Sequence, residues 1–240
     1  MNKEKEIRSI WKIIILHLLP GIVLSIIYVF LLKQEILAGY PKIVTLGLAG
    51  IFSIIPIELG YLLYVAWKED GSLNIFKVLG LKSKMKLKEY IFYTLLLFLI
   101  TGVLVTILKP LSNFMLSSVF HWVPSWYNYT QDMSLFSRNF IAITIVVNFF
   151  FFTLIGPIIE ELYFRGYLLA RMKWMGRYSV LINVVLFSVY HFWSPWLIIV
   201  RVAAMLPLFY YVNKKDSLIL AILVHCLANF VDVVSLVMLL

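Results

Sequence analysis

Long apolar segments are the feature of this sequence that most restricts its fold. Of its 240 residues, 62% are hydrophobic and 14% are charged, whereas a soluble domain has about a quarter charged residues. About 20 consecutive apolar residues are enough to cross the hydrocarbon core of a bilayer as a helix. Segments of this kind are predicted at 11–32, 43–67, 90–108, 139–172, 178–192, 196–212 and 216–240. The sequence therefore predicts an all-α, polytopic membrane bundle of about seven transmembrane helices.

The predicted spans form a single membrane domain over residues 1–240, in two parts. Residues 1–138 hold the first three spans and a long loop that is rich in tryptophan and tyrosine. These side chains favour the headgroup layer, so an eighth helix is expected if the loop re-enters the bilayer. Residues 139–240 hold the last four spans. The first of these is too long for one straight crossing, and a break is predicted at Pro157 because proline lacks a backbone donor.

The positions of lysine and arginine predict the orientation of the chain. With the N-terminus in the cytoplasm, the inner segments carry 15 basic residues and the outer segments carry 4, out of 21 in the chain. Because cytoplasmic loops are enriched in basic residues, we expect a cytoplasmic N-terminus and an external C-terminus. The net charge of +9 resides largely in these loops, where it meets anionic lipid headgroups. We therefore expect no nucleic-acid partner.

Two adjacent acidic residues, Glu160 and Glu161, follow the most apolar part of the fourth span. A charge in hydrocarbon costs several kcal/mol, so it persists only with a partner or a task. Glu161 and Arg165 are one helical turn apart and can pair, whereas Glu160 points about 100° away and needs another partner. The polar residues within spans that lack a spaced companion are interpreted as structural: His17, Glu58, Arg201 and Asp232.

Further polar side chains lie at the same depth as Glu160. His191 lies in the fifth span, and His225 and Asn229 share one face of the seventh. With a rise of about 1.5 Å per residue, all four lie roughly 14 to 20 Å from the inner ends of their helices. A lone intramembrane histidine is usually an interhelical hydrogen bonder. Four uncompensated polar groups at one depth indicate instead a buried functional site.

This set of side chains is suited to the attack of water on a carbonyl group. A carboxylate in an apolar site is a good general base, and a histidine can hold the same water. A second histidine and an amide can donate to a developing oxyanion. Two histidines and a glutamate could also bind zinc with an open position for water, although no local zinc motif is present. That zinc set would be Glu160, His191 and His225.

Three short motifs occur in order on successive spans. They are EExxxR (Glu160, Glu161, Arg165), FxxxH (Phe187, His191) and HxxxN (His225, Asn229). Together they resemble the CPBP intramembrane proteases, a family that includes the type II CAAX prenyl endopeptidases and the bacterial bacteriocin-processing, or Abi, proteins. The resemblance covers about residues 139–232 and marks 139–240 as the catalytic core.

The resemblance implies a role for each matched residue. Glu160 would activate water together with His191, and His225 and Asn229 would stabilise the oxyanion. The supporting residues would be Glu161 and Arg165, which orient the glutamate helix, and Phe187, which packs nearby.

The implied activity is endopeptidase cleavage of a membrane-associated peptide or protein, at a site open to the cytoplasmic side and to lipid. Members of the family have been described both as metalloproteases and as metal-free glutamate proteases. No metal is favoured here, because one glutamate, one histidine and two donors account for every polar group. The alternatives are a non-catalytic immunity or scaffold protein, a zinc-dependent version of the same protease, and a small transporter that uses the polar layer as a path.

Overall fold

Helices make up the fold of the chain, for which a computed structural model describes residues 6–80, 82 and 84–240. The first five residues of the charged N-terminal segment and positions 81 and 83 of the following polar loop lie outside this description. The described part contains eight helices and no strand. The helices are α1 (Ile10–Lys33), α2 (Lys42–Asp70), α3 (Leu87–Ile107), α4 (Lys109–Phe114, extended by a π-helical turn at Met115–Val119), α5 (Arg138–Leu169), α6 (Tyr178–Tyr190), α7 (Pro195–Lys215) and α8 (Leu218–Val237).

Six of these helices are long and apolar enough to cross a membrane, namely α1, α2, α3, α5, α7 and α8. The fifth predicted span is present as α6, an apolar helix of only 13 residues. At about 1.5 Å per residue, α6 is roughly 20 Å long, which is shorter than a hydrocarbon core of about 30 Å. The prediction of a polytopic all-α bundle is therefore confirmed.

Helix α5 does not break at Pro157, contrary to the sequence-based expectation. It continues for 32 residues, but its hydrogen-bond pattern changes three times after the α-helical start at Arg138–Val147. A π-helical segment, Asn148–Ile155, precedes a short α-helical segment, Gly156–Glu160, and a second π-helical segment, Glu161–Leu169, follows it. Pro157 lies in the first turn of the α-helical segment, where a missing N–H donor is tolerated.

Helix α1 is held against α5 and α6 by its Pro20-Gly21 pair. Pro20 has no N–H for the carbonyl of Leu16 one turn earlier, and the buried Tyr163 hydroxyl donates to that carbonyl at 2.7 Å. Gly21 faces the end of α6, where a Cβ atom on it would lie 1.9 Å from the carbonyl oxygen of Tyr190. A glycine is required at this close approach, which fixes the end of α6.

Candidate active site

Glu160 is the last residue of the α-helical segment in the middle of α5, and its side chain is buried. Its Oε1 atom accepts a hydrogen bond from the Tyr190 hydroxyl at 3.1 Å. Its Oε2 atom lies 3.8 Å from Nε2 of His225. Glu160 therefore faces α6 and α8, which supply the partners that α5 itself does not.

Glu161 makes the contacts on the other side of α5. Its Oε2 atom lies 3.1 Å from Nε of Arg165, as expected from their one-turn spacing. Its Oε1 atom accepts a hydrogen bond of 2.8 Å from Nδ1 of His225. Because Nδ1 of His225 is held in this way, its Nε2 atom is turned toward Glu160.

The guanidinium of Arg165 lies between two aromatic rings. Its central carbon is 3.9 Å from the ring centroid of Phe187 and 3.6 Å from that of Phe209, and the residue is fully buried. A delocalised cation is stabilised over the faces of such rings. Phe187 thus fixes the cation that pairs with Glu161.

His191 follows the last residue of α6. Its Nδ1 atom is 2.8 Å from the carbonyl oxygen of Phe187, one turn earlier. A carbonyl oxygen only accepts, so Nδ1 carries the proton and Nε2 has a free lone pair. The ring is half-buried and packs against Tyr190 and Trp193. The end of α6 therefore presents a ring nitrogen that is free to accept a hydrogen bond.

Asn229 lies one turn beyond His225 on α8. Its side-chain nitrogen donates to the carbonyl oxygen of Phe152 at 2.7 Å. An amide nitrogen carries two protons, so one N–H of Asn229 is left for another acceptor. Phe152 belongs to the first π-helical segment of α5, and this contact joins α8 to α5.

The side chains predicted from the sequence line a single cavity. Those at its wall are Glu160, His191, His225, Asn229 and Phe187. The cavity has a volume of about 200 Å³, which is room for several water molecules. Glu161 and Arg165 lie behind the wall and contact the site through His225 and Phe187. The structure thus brings the predicted catalytic set together around space for water.

Several residues of the cavity wall were not assigned to the site from the sequence. Arg201 and Asp232 were interpreted as structural, yet both line the cavity, together with Tyr129 of the loop before α5. Asp232 is three residues from Asn229 on one helix face, a spacing that could have revealed it. Arg201 also donates to the Ser194 hydroxyl at 2.9 Å. Burial raises the pKa of the Tyr129 hydroxyl.

The remaining two polar residues interpreted as structural have different surroundings. His17 is fully buried and accepts at Nε2 a hydrogen bond of 3.0 Å from the Asn183 amide. That contact joins α1 to α6, so a structural interpretation accounts for it. Glu58 is also fully buried, but its carboxyl group lies near Tyr190 and Glu160.

The sequence left a zinc set of Glu160, His191 and His225 open as an alternative. Among the residues that the structure describes, no three histidine, cysteine, aspartate or glutamate side chains are grouped so that they could hold a metal ion. No step of the chemistry is therefore assigned to a metal.

The cavity lies toward the end of the bundle that is opposite the start of α1. Its wall includes Ile43 near the beginning of α2 and Tyr129, and a neighbouring cavity with Thr130 and Gln131 shares these two residues. On the other side of Glu160, every residue of Glu161–Leu169 is buried. The described core therefore closes the site toward the end of the bundle where α1 begins.

The fold and the site define a polytopic membrane protein with a carboxylate–histidine cluster in its interior. Residues 142–231 match a protein-family model described as type II CAAX prenyl endopeptidase Rce1-like. This segment extends from α5 into α8 and is similar to that family, which confirms the resemblance predicted from the three motifs. The match supports a CAAX-type intramembrane protease in general. No curated protein and no solved structure matches the chain.

Proposed function

We propose that this protein is an intramembrane endopeptidase that hydrolyses a peptide bond of a membrane-associated peptide or protein. The observation that carries the proposal is the single cavity lined by the four predicted catalytic residues, Glu160, His191, His225 and Asn229. The Rce1-like match over residues 142–231 supports it independently.

In the proposed reaction, Glu160 is the general base. The Tyr190 hydroxyl holds its Oε1 atom, which leaves Oε2 to take a proton from a water molecule in the cavity. The free Nε2 atom of His191 accepts the other proton of that water in a hydrogen bond and orients it. The resulting hydroxide attacks the carbonyl carbon, and Glu160 then gives its proton to the leaving amine.

His225 and Asn229 are the proposed donors to the tetrahedral oxyanion. When both ring nitrogens of His225 carry protons, Nδ1 donates to Glu161 and Nε2 is available to the oxyanion. The second N–H of the Asn229 amide is available in the same way, because Phe152 takes only one. Donors that are fixed before the reaction stabilise the developing charge without reorganisation.

The test is a comparison of peptides released from membranes of cells that carry the wild-type protein or the Glu160→Gln variant. We expect peptide termini that are present with the wild type and absent with Glu160→Gln. The matched control is Glu35→Gln, at an exposed glutamate between α1 and α2, which should release the same peptides as the wild type.

Identical released peptides from wild type and Glu160→Gln, at equal protein levels, would contradict the proposal. A non-catalytic immunity or scaffold protein would instead keep its cellular function in Glu160→Gln and lose only thermal stability. The two outcomes differ, so the experiment separates an enzyme from a binding protein.

A further inference from the structure

Glu58 is a buried acid that the proposed reaction does not use. It lies in a π-helical segment of α2, Ile54–Leu59, two residues after Pro56. Its side chain is fully buried, and neither carboxyl oxygen has a hydrogen-bond partner within the described ranges. Burying a carboxyl group without a hydrogen-bond partner lowers the stability of the fold, so a role for Glu58 is expected.

The surroundings of Glu58 join it to the catalytic cluster. The segment Ile54–Leu59 packs directly against Gly156–Glu160, the segment that ends with the proposed base. The Glu58 carboxyl group lies beside the Tyr190 hydroxyl and near Glu160, with Glu161 and Arg165 farther along α5. Of these neighbours only Arg165 is a cation, and it is already paired with Glu161.

The number of available protons restricts what Glu58 can do. A tyrosine hydroxyl has one proton, and that of Tyr190 is donated to Oε1 of Glu160 at 3.1 Å. The oxygen of Tyr190 can still accept, so Glu58 can bond to it only by donating a proton of its own. Two ionised carboxylates near one another in an apolar interior would also repel each other.

We propose that Glu58 is a positioning residue for the reaction. As a neutral carboxylic acid it donates to the oxygen of Tyr190, which keeps the Tyr190 hydroxyl on Glu160 and holds the base in place. The chain of donors runs from Glu58 on α2 through Tyr190 on α6 to Glu160 on α5. This role deepens the proposed peptidase function and rests on it, but the protonation of Glu58 can be measured separately.

Infrared spectroscopy of the purified protein at neutral pH measures that protonation without a substrate. The difference between wild type and Glu58→Gln should contain the carbonyl band of a neutral carboxylic acid. The difference between wild type and Glu35→Gln, at an exposed site, should lack it. The proposal would be overturned if the difference spectrum of wild type and Glu58→Gln lacked this band. It would also be overturned if the band disappeared from the spectrum of Glu160→Gln and not from that of Glu58→Gln. Both outcomes hold whatever the protein cleaves.

Kinetics on a quenched fluorescent peptide built on a cleavage site found in the released peptides then tests positioning. Glu58→Met removes the donor and keeps the volume, so we expect kcat to fall about tenfold with an unchanged KM. Glu58→Gln keeps an N–H donor and should recover most of this loss. Glu58→Met combined with Tyr190→Phe should be no slower than Tyr190→Phe alone, because Glu58 acts through Tyr190.

A purely structural role for Glu58 predicts different results. Glu58→Met would then lower the melting temperature but not kcat, and its effect would add to that of Tyr190→Phe. A carboxylate that itself takes a proton in the reaction would make Glu58→Gln as slow as Glu58→Met. Either result would overturn the positioning role, and a wild-type protein that cleaves nothing would instead contradict the proposed function.

Discussion

The guanidinium of Arg165 lies between the rings of Phe187 and Phe209 and has no exposed surface. None of its nitrogens makes a well-aligned hydrogen bond within the described residues, so its stabilisation comes from the rings and from the charge of Glu161. A cation held in this way is fixed in position more by packing than by directional bonds. It therefore serves as a rigid support for Glu161 and, through Glu161, for His225.

Arg165→Met tests this balance of buried charge. The substitution leaves the Glu161 carboxylate without its cation, and breaking a buried pair in this way costs about 3 kcal/mol or more. We expect that loss in the free energy of unfolding, measured on the purified protein in detergent. The double variant Glu161→Gln, Arg165→Met should lose less than Arg165→Met alone. Equal losses in the two variants would contradict the pairing.

Peptide cleavage is expected not to depend on a bound metal. Because the donors are not grouped as metal ligands, we expect peptide cleavage to persist after dialysis against a strong chelator. Zinc measured in the same active sample should be well below one ion per protein. Activity that is lost on chelation and regained with zinc would establish the zinc-dependent alternative.

Among the helices, α1 and α5 meet where Pro20 leaves the carbonyl of Leu16 without its helical donor. The Tyr163 hydroxyl supplies the missing proton at 2.7 Å. Tyr163→Phe would leave that buried carbonyl unsatisfied, at a cost of about 1 to 3 kcal/mol in the free energy of unfolding. In a Pro20→Ala background the backbone donor is restored, so Tyr163→Phe should cost less there. An equal cost in both backgrounds would show that the proline is irrelevant to this contact.

The sequence was informative about which helices carry the site and how deep its residues lie. The spacing of the motifs and the rise per residue predicted that Glu160, His191 and His225 lie at one depth in the membrane. In the structure they line one cavity. The rotation of each helix about its axis could not be predicted, because apolar residues cover nearly every face. For that reason the contact of Tyr190 with Glu160 and the position of Glu58 were not foreseen.

The π-helical segments were not predicted either. Three of them lie in the two helices that pack at the site, α2 and α5. Each π-helical turn shifts the faces of the following residues relative to an α-helix, and apolar periodicity does not reveal this shift. The expected break at Pro157 was wrong for the same reason, since the helix adjusts its hydrogen bonding and continues.

In the whole molecule, the position of the cavity and that of the basic loops together predict which side of the membrane the cavity faces. The cavity lies toward the end of the bundle opposite the start of α1 and is closed on the other side by Glu161–Leu169. We propose from the basic loops that the start of α1 is cytoplasmic. The cavity then faces the outside of the cell, whereas the family resemblance implies access from the cytoplasm.

Cysteine labelling in intact cells decides between these orientations. In a Cys226→Ser background, which removes the single native cysteine, Thr130→Cys reports on the cavity end and Lys68→Cys on the opposite end. With a cytoplasmic N-terminus, a membrane-impermeant maleimide should label Thr130→Cys at once and Lys68→Cys only after permeabilisation. The reverse pattern would contradict our orientation and give a cavity open to the cytoplasm.

The short helix α6 also affects the lipid around the protein. It has 13 residues, about 10 Å less than a hydrocarbon core of about 30 Å requires. Irregular backbone follows it at His191, and such backbone is tolerated at membrane depth only beside protein or water. We expect the neighbouring leaflet to thin or to admit water at this point. The proposed hydrolysis needs such a supply of water, so the length of one helix would couple the reaction to the thickness of the bilayer.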